Sequence, residues 1–153
     1  MSEKTFTLTV VSPDKKLFID LPVVAVGARG SEGDFTALPG HVPFLTDLNP
    51  GNMWYRSPDN TVREVFVSAG FVEVLPARVT VMADSCEYPD QIDVERAERA
   101  HKKALDRLQQ LRVKIAETPE SREQGELEIR KLEVKLNRSM ARIKAAKGTR
   151  RFG

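Results

Sequence analysis

Cys86-Glu87-Tyr88-Pro89-Asp90-Gln91-Ile92-Asp93-Val94-Glu95-Arg96-Ala97 is the stretch where the chain changes its hydrophobic period. Up to about Tyr88, apolar residues alternate with polar ones, the period of two that a half-buried strand requires. From Val94 onward they recur every three and four residues, the spacing of one helix face. Asp93 stands just before the first periodic residue, where its carboxylate can accept bonds from the unpaired amides of a first helical turn. Charge changes at the same place: residues 1–88 carry 7 Lys/Arg against 11 Asp/Glu, a net of −4, and residues 89–153 carry 17 against 11, a net of +6. The chain reads as a β domain over 1–88 and a helical hairpin over 89–153 that can move against it. Two halves of opposite sign suit a protein that holds partners more than one that carries out chemistry.

Working back from Tyr88, Val79 and Val81, Val72 and Val74, and Val65 and Val67 alternate, with Gly70 and Pro76-Ala77 between the runs. Met53-Trp54-Tyr55 and Thr61-Val62 flank the turn signal Ser57-Pro58-Asp59-Asn60. Leu21 to Val26 is a denser run and reads as one buried strand; Thr5-Phe6-Thr7-Leu8-Thr9-Val10 alternates without fault. Many short strands separated by turns indicate an all-β sandwich or barrel. Glycine and proline crowd between Gly27 and Gly51, which reads either as loops between strands or as a shaped docking surface. Gly27-Ala28-Arg29-Gly30 is no phosphate loop, because the lysine and hydroxyl residue that follow the last glycine of a P-loop are missing.

Working forward, Val94, Ala97, His101, Ala104, Leu108, Leu111 and Ile115 form a heptad seam. Glu117-Thr118-Pro119-Glu120 breaks it, with Thr118 suited to an N-cap and Pro119 to a first helical position. A second seam follows through Ile129, Leu132, Leu136, Ser139, Ile143 and Ala146. So short a link predicts an antiparallel hairpin. The small and polar levels (Ala97, His101, Ala104, Ser139, Ala146) bury little apolar area, so the hairpin should be marginal and able to open. Opened, the second helix would be a rod of ~40 Å. Gly125 should weaken its start by roughly 1 kcal/mol relative to alanine.

The 153 residues, 41% of them hydrophobic, allow a small domain with an appendage. A single cysteine, Cys86, excludes an internal disulfide and fits a reducing compartment. Neither a signal-peptide pattern nor a bilayer-length apolar run is expected, so a membrane would be reached only through a partner. Catalysis finds little support: His41 and His101 lie in different halves, and Cys86 has no metal-ligand spacing around it.

Two constellations remain. Residues 130–153 carry 9 Lys/Arg and one acid, Glu133, a net of +8. Arg130, Lys131, Lys135, Arg138, Arg142, Lys144 and Lys147 recur at helical spacing and should form a broad basic surface, either solvated or facing an acidic protein or nucleic acid. A β-domain interaction module whose basic helical arm binds nucleic acid is the alternative function. Phe152 is the only aromatic residue after Tyr88, which leaves base stacking almost nothing to use. In Ile92-Asp93-Val94-Glu95-Arg96-Ala97, Asp93 and Arg96 share a face. They read as a cap with a surface ion pair, or as an anion site that Arg138 and Arg142 would approach in a closed hairpin.

Val11-Ser12-Pro13, Leu38-Pro39-Gly40-His41-Val42-Pro43-Phe44-Leu45-Thr46, Asn49-Pro50-Gly51 and Val67-Ser68-Ala69-Gly70-Phe71-Val72-Glu73-Val74, in this order before a helical hairpin, resemble the epsilon subunits of bacterial F-type ATP synthases. The resemblance implies a ten-stranded β sandwich followed by a two-helix hairpin, and a non-catalytic rotor subunit. It implies partners: the gamma subunit, the c-ring, and the catalytic alpha/beta subunits at the cytoplasmic face of the bacterial cell membrane. Glu32 and the Pro39-Gly40-His41 segment match the ring-facing region. The basic second helix, through Arg130, Lys131, Lys135, Arg138, Arg142 and Lys144, would block ATP hydrolysis when the hairpin extends. No obligatory cofactor is implied, but ATP is, as a regulatory ligand. Ile92, Asp93, Arg96 and Ala97 match the family's ATP motif, and Glu87, Arg138 and Arg142 fall where that site would use them. Lys103 stands where an arginine is expected, a point charge in place of a planar fork.

Overall fold

Phe6, Leu8 and Val10 turn into the core while the threonines between them stay nearer the surface, so β1 (Phe6–Val11) forms as its alternation predicts. In the computed structural model, which describes residues 4–118, 120 and 122–148, nine more strands follow. They are β2 (Lys16–Val23), β3 (Ala25–Gly30), β4 (Gly33–Ala37), β5 (Phe44–Leu48), β6 (Gly51–Arg56), β7 (Val62–Val67), β8 (Gly70–Leu75), β9 (Arg78–Ala83) and β10 (Cys86–Glu87). They pair in the order β10-β7-β6-β3-β5-β8-β9-β1-β2, with β4 added on β3. β3 and β5 meet at a single pair, Gly30 with Leu48, and there the sheet turns over into a second layer. Leu8, Val10, Val26, Met53, Val65, Val72, Val74 and Val81 fill the space between the layers. The ten-stranded sandwich that the resemblance implies is present.

Two expectations change. Leu21 to Val26 is not one strand, because the chain turns a corner at Val24, whose amide donates to the Arg56 carbonyl at 2.8 Å. β2 closes the end of the sheet, which is where Pro22 is tolerated, since an edge strand leaves half its amides unpaired. The glycine-rich stretch is also less of a loop than its composition suggests. Gly27 and Gly30 sit inside β3 because they make room for neighbours: a methyl at Gly27 would overlap the Trp54 indole on β6, and one at Gly30 would come within 3.1 Å of Thr46 and of the Gly33 carbonyl. True loop remains between β4 and β5, where Gly40 takes a φ of 83° that favours glycine.

After one 3₁₀ turn (Pro89–Gln91), α1 (Val94–Glu117) and α2 (Arg122–Lys147) form the antiparallel hairpin. Thr118 closes α1 as its C-cap, its amide donating to the Lys114 carbonyl at 2.9 Å. Pro119, expected to open the second helix, lies outside the described residues. Ala104, Leu108, Leu111 and Leu132 are the buried centre of the hairpin, with Ile129 and Leu136 beside them. At the polar level His101 Nδ1 lies 2.8 Å from Ser139 Oγ, and Ser139 Oγ donates to the Leu136 carbonyl at 2.9 Å. Gly125 is buried against Ile115, whose side chain fills the place a Cβ would take. The glycine that weakens the helix locally therefore lets the two helices approach.

Candidate functional site: the hairpin seated on the sandwich

α2 has a second buried face that its seam does not announce. Ala145, with Ala141 and Ala146 alongside, packs on Phe66 of β7 and on Ile92. Phe66 points out of the sandwich and is only 1% exposed, so α2 is what covers it. Small residues on α2 let the helix lie close to the sheet, and the contact stays narrow for the same reason. Residue by residue, three members of the Ile92–Ala97 motif have a place in the packing. Ile92 belongs to this apolar cluster, Asp93 Oδ1 accepts the Arg96 amide at 3.0 Å as the N-cap of α1, and Ala97 is buried.

Ion pairs surround that patch. Arg142 donates to Glu87 Oε1 at 2.6 Å from two of its guanidinium nitrogens, with the glutamate largely shielded from solvent. Arg138 donates to Asp84 Oδ2 at 2.7 Å, a more exposed pair. Lys147 reaches Glu98 on α1 at 2.8 Å. The broad basic surface expected of α2 is thus interrupted: Arg138, Arg142 and Lys147 hold carboxylates, while Arg130, Lys131, Lys135 and Lys144 are exposed. Arg150 and Arg151 of the same basic tail lie outside the described residues.

Of the residues proposed for a nucleotide, the structure brings Glu87 and Arg142 together and sets Arg138 beside them on Asp84. Arg96 is exposed near the start of α1, and Lys103 lies on the outer surface of that helix with Arg99, Lys102 and Asp106. A phosphate fits this set in one respect: Arg138 Nε is buried and donates to nothing among the described residues. It meets competition in another, since Asp84 and Glu87 already occupy both arginines.

Glu32 lies in the β3–β4 turn, while Pro39-Gly40-His41 follows the other end of β4, so a strand of ~17 Å separates them. Gly40 donates its amide to the Pro76 carbonyl at 2.8 Å, which ties the segment to the β8–β9 turn and leaves Leu38 and Val42 exposed. Deeper in, Tyr55 sits with its hydroxyl 3.5 Å from that of Tyr88. Burial, and then this hydrogen bond, push its pKa up to about 12. Burial likewise raises the Cys86 thiol above its ordinary range. No described helix is long and apolar enough to cross a membrane.

A β sandwich carrying a helical hairpin folded back on it is a two-part architecture, and the comparisons agree with it. Residues 5–89 match the beta-sandwich domain of the ATP synthase delta/epsilon chain, and residues 90–147 match its long alpha-helix domain. The ATP synthase epsilon chain of Syntrophobacter fumaroxidans is 38% identical over 97% of this chain and 100% of its own length. That of Nitratidesulfovibrio vulgaris is 44% identical over 74% of this chain and 83% of its own. A chain in the mitochondrial ATP synthase OSCP/F1/c-ring structure of Euglena gracilis superposes with a TM-score of 0.67 at 22% identity, over 90% of this chain and 78% of that one, a likeness of fold. The chain belongs to the ATP synthase delta/epsilon family, as a bacterial F-type epsilon subunit.

Proposed function

We propose that this chain is a non-catalytic rotor subunit of the central stalk, with a hairpin that restrains ATP hydrolysis. The observation that carries the reading is the seating of α2: a narrow alanine face on Phe66 and Ile92, bordered by solvent-reached ion pairs. Such a contact holds a closed state without making it permanent. The sandwich docks against gamma and the c-ring, through the exposed Leu38–Val42 loop among other surfaces, and the membrane is reached only through that complex, at the cytoplasmic face. When the hairpin opens, the same Arg138 and Arg142 that bind Asp84 and Glu87 become available to acidic segments of the catalytic alpha/beta subunits, together with Arg130, Lys131, Lys135 and Lys144. The driving cation is H⁺ or Na⁺, and neither choice bears on this surface.

ATP is a regulatory ligand in this proposal. It shifts the hairpin only by as much as it binds the closed state better than the open one. Arg138 and Arg142 would take the phosphates, exchanging carboxylate for phosphate oxygens, and Arg96 and Lys103 would add charge along α1. Deleting residues 89–153 from the assembled complex should leave assembly intact and raise ATPase activity; unchanged activity would sink the inhibitory role. Calorimetric titration of ATP into the isolated chain should give binding that Arg96→Ala abolishes. Equal binding by the variant would remove the motif from the site.

A further inference from the structure

The layers of the sandwich end in open strands, and the sequence guards them unequally. β2 carries Pro22, a backbone turned to a φ of 52° at Asp20, and register shifts in its pairing with β1. β10 is only two residues long. Such features keep foreign strands off an edge. β4 has none of them. Its five residues follow β3 without a register shift, from Gly30 opposite Gly33 to Val26 opposite Ala37. It contains no proline, and β3 is its only partner among the described residues. The direction of its backbone groups follows from β3. The Arg29 carbonyl accepts the Asn49 amide at 3.0 Å, and Gly27 pairs with β6, so residues 27 and 29 turn their backbone away from β4. Alternation along an antiparallel ladder then joins Ala28 to Phe35 and Gly30 to Gly33. The amides and carbonyls of Asp34 and Thr36 point outward, and both residues are exposed.

The side chains around this edge define the strand that fits it. Glu32 and Asp34 are exposed and form no salt bridge among the described residues, although Arg29 lies across from Asp34. On the other face, half-buried Phe35 meets Phe44 of β5 edge to face, with ring centroids 5.4 Å apart. Leu45 and Val42 lie beyond, 66% and 71% exposed. A fitting strand sets a lysine or arginine beside Asp34 and, one residue on, an apolar side chain over the Phe35–Phe44 pair. We propose that an extended segment of gamma with this alternation of basic and apolar residues adds a strand to β4. Main-chain bonds to Asp34 and Thr36 supply affinity, and the acidic and aromatic flanks supply register. The Leu38–Val42 loop, already assigned to docking, continues the same surface. The choice of gamma rests on the rotor reading given above.

Residue-resolved amide exchange tests this in the full-length chain, free and bound to gamma without the ring. In the free chain the Phe35 amide should be protected, while those of Asp34 and Thr36 exchange fast. Gamma should slow the Asp34 and Thr36 amides by about 100-fold. Equal rates in both states, or protection that appears only once the ring is added, would overturn the proposal. Thr36→Pro removes an amide that only an added strand would use, at an edge position where proline is tolerated. It should weaken gamma binding by about tenfold, the scale of one lost main-chain bond. Asp34→Asn should weaken it by about threefold at low salt and less at high salt. Parent affinity in both variants would overturn the added strand. The exchange experiment needs no variant, so it decides the matter even where Thr36→Pro lowers stability. A chain that never binds gamma would sink the rotor reading and the occupant with it. A chain that binds with both amides still fast would overturn this proposal alone.

Discussion

Removing the acceptors that hold α2 should open the hairpin without touching a single basic residue. In Asp84→Asn with Glu87→Gln, Arg142 loses a carboxylate that lies 2.6 Å away and is 19% exposed, and Arg138 loses one at 2.7 Å that is 55% exposed. Exposed pairs contribute about 0.2–1 kcal/mol. A charge-assisted hydrogen bond contributes ~1.5–3 kcal/mol, which partial solvation of Arg142 reduces to about 1–2. Together the two changes should shift the open-to-closed ratio by ~1.2–3 kcal/mol, or about 7- to 140-fold. Spin labels at Thr36 on β4 and Met140 on α2, which line one groove, read this as growth of a long-distance population. In the assembled complex the same variant should inhibit ATP hydrolysis more strongly, because α2 keeps its charge and is freed more often. Arg138→Ala with Arg142→Ala opens the hairpin too, yet should inhibit less, because the cations that would face the catalytic subunits are gone. An unchanged distance distribution in the carboxylate variant would refute the role of these two ion pairs in holding α2 on the sandwich. Inhibition that moves the same way in both variants would refute the use of one pair of arginines in both states.

Other outcomes follow from the packing. Gly70→Ala should cost more than ~3 kcal/mol in denaturant unfolding, because a φ of 141° is strained for alanine and its methyl would run into the Met82 carbonyl. Tyr55 should still be protonated at pH 11 by ultraviolet titration. Its folded pKa of about 12 lies above the unfolded value of 10.0, so its contribution to stability is complete below pH 10 and lost as pH rises through about 12. Cys86, buried with its thiol raised, should react with disulfide reagents at pH 8 much more slowly than in urea; equal rates would contradict its buried place on β10 beside β7.

The change of period at Pro89 was legible because it depends on residue order alone. Alternation put Leu8, Val10, Val72, Val74, Val79 and Val81 inside the sandwich, and heptad spacing put Leu108, Leu111 and Leu132 inside the hairpin. Local periodicity could state these because a strand's two faces and a helix's seam repeat within a few residues. It could not separate β2 from β3, since Leu21 to Val26 is apolar on both sides of a corner whose cause, the bond from Val24 to Arg56, lies 32 residues away in sequence. The strand character of Gly27 and Gly30 was hidden likewise, because glycine signals a turn until the indole or threonine that needs its space is known.

For the site, the sequence by itself determined which charges exist and which of them share a helix face. That Asp93 caps α1 followed from its position before Val94, and the structure keeps it there. Only the tertiary structure decided which charges meet. Arg138 and Arg142 lie 54 and 55 residues from Asp84 and Glu87, a separation that no local rule spans. Phe66 reads as one more apolar residue in a strand until α2 is found covering it, and Ala141 and Ala145 read as filler between two seams. A seam is written in one segment, but a docking face is written in two, and only packing brings the halves together.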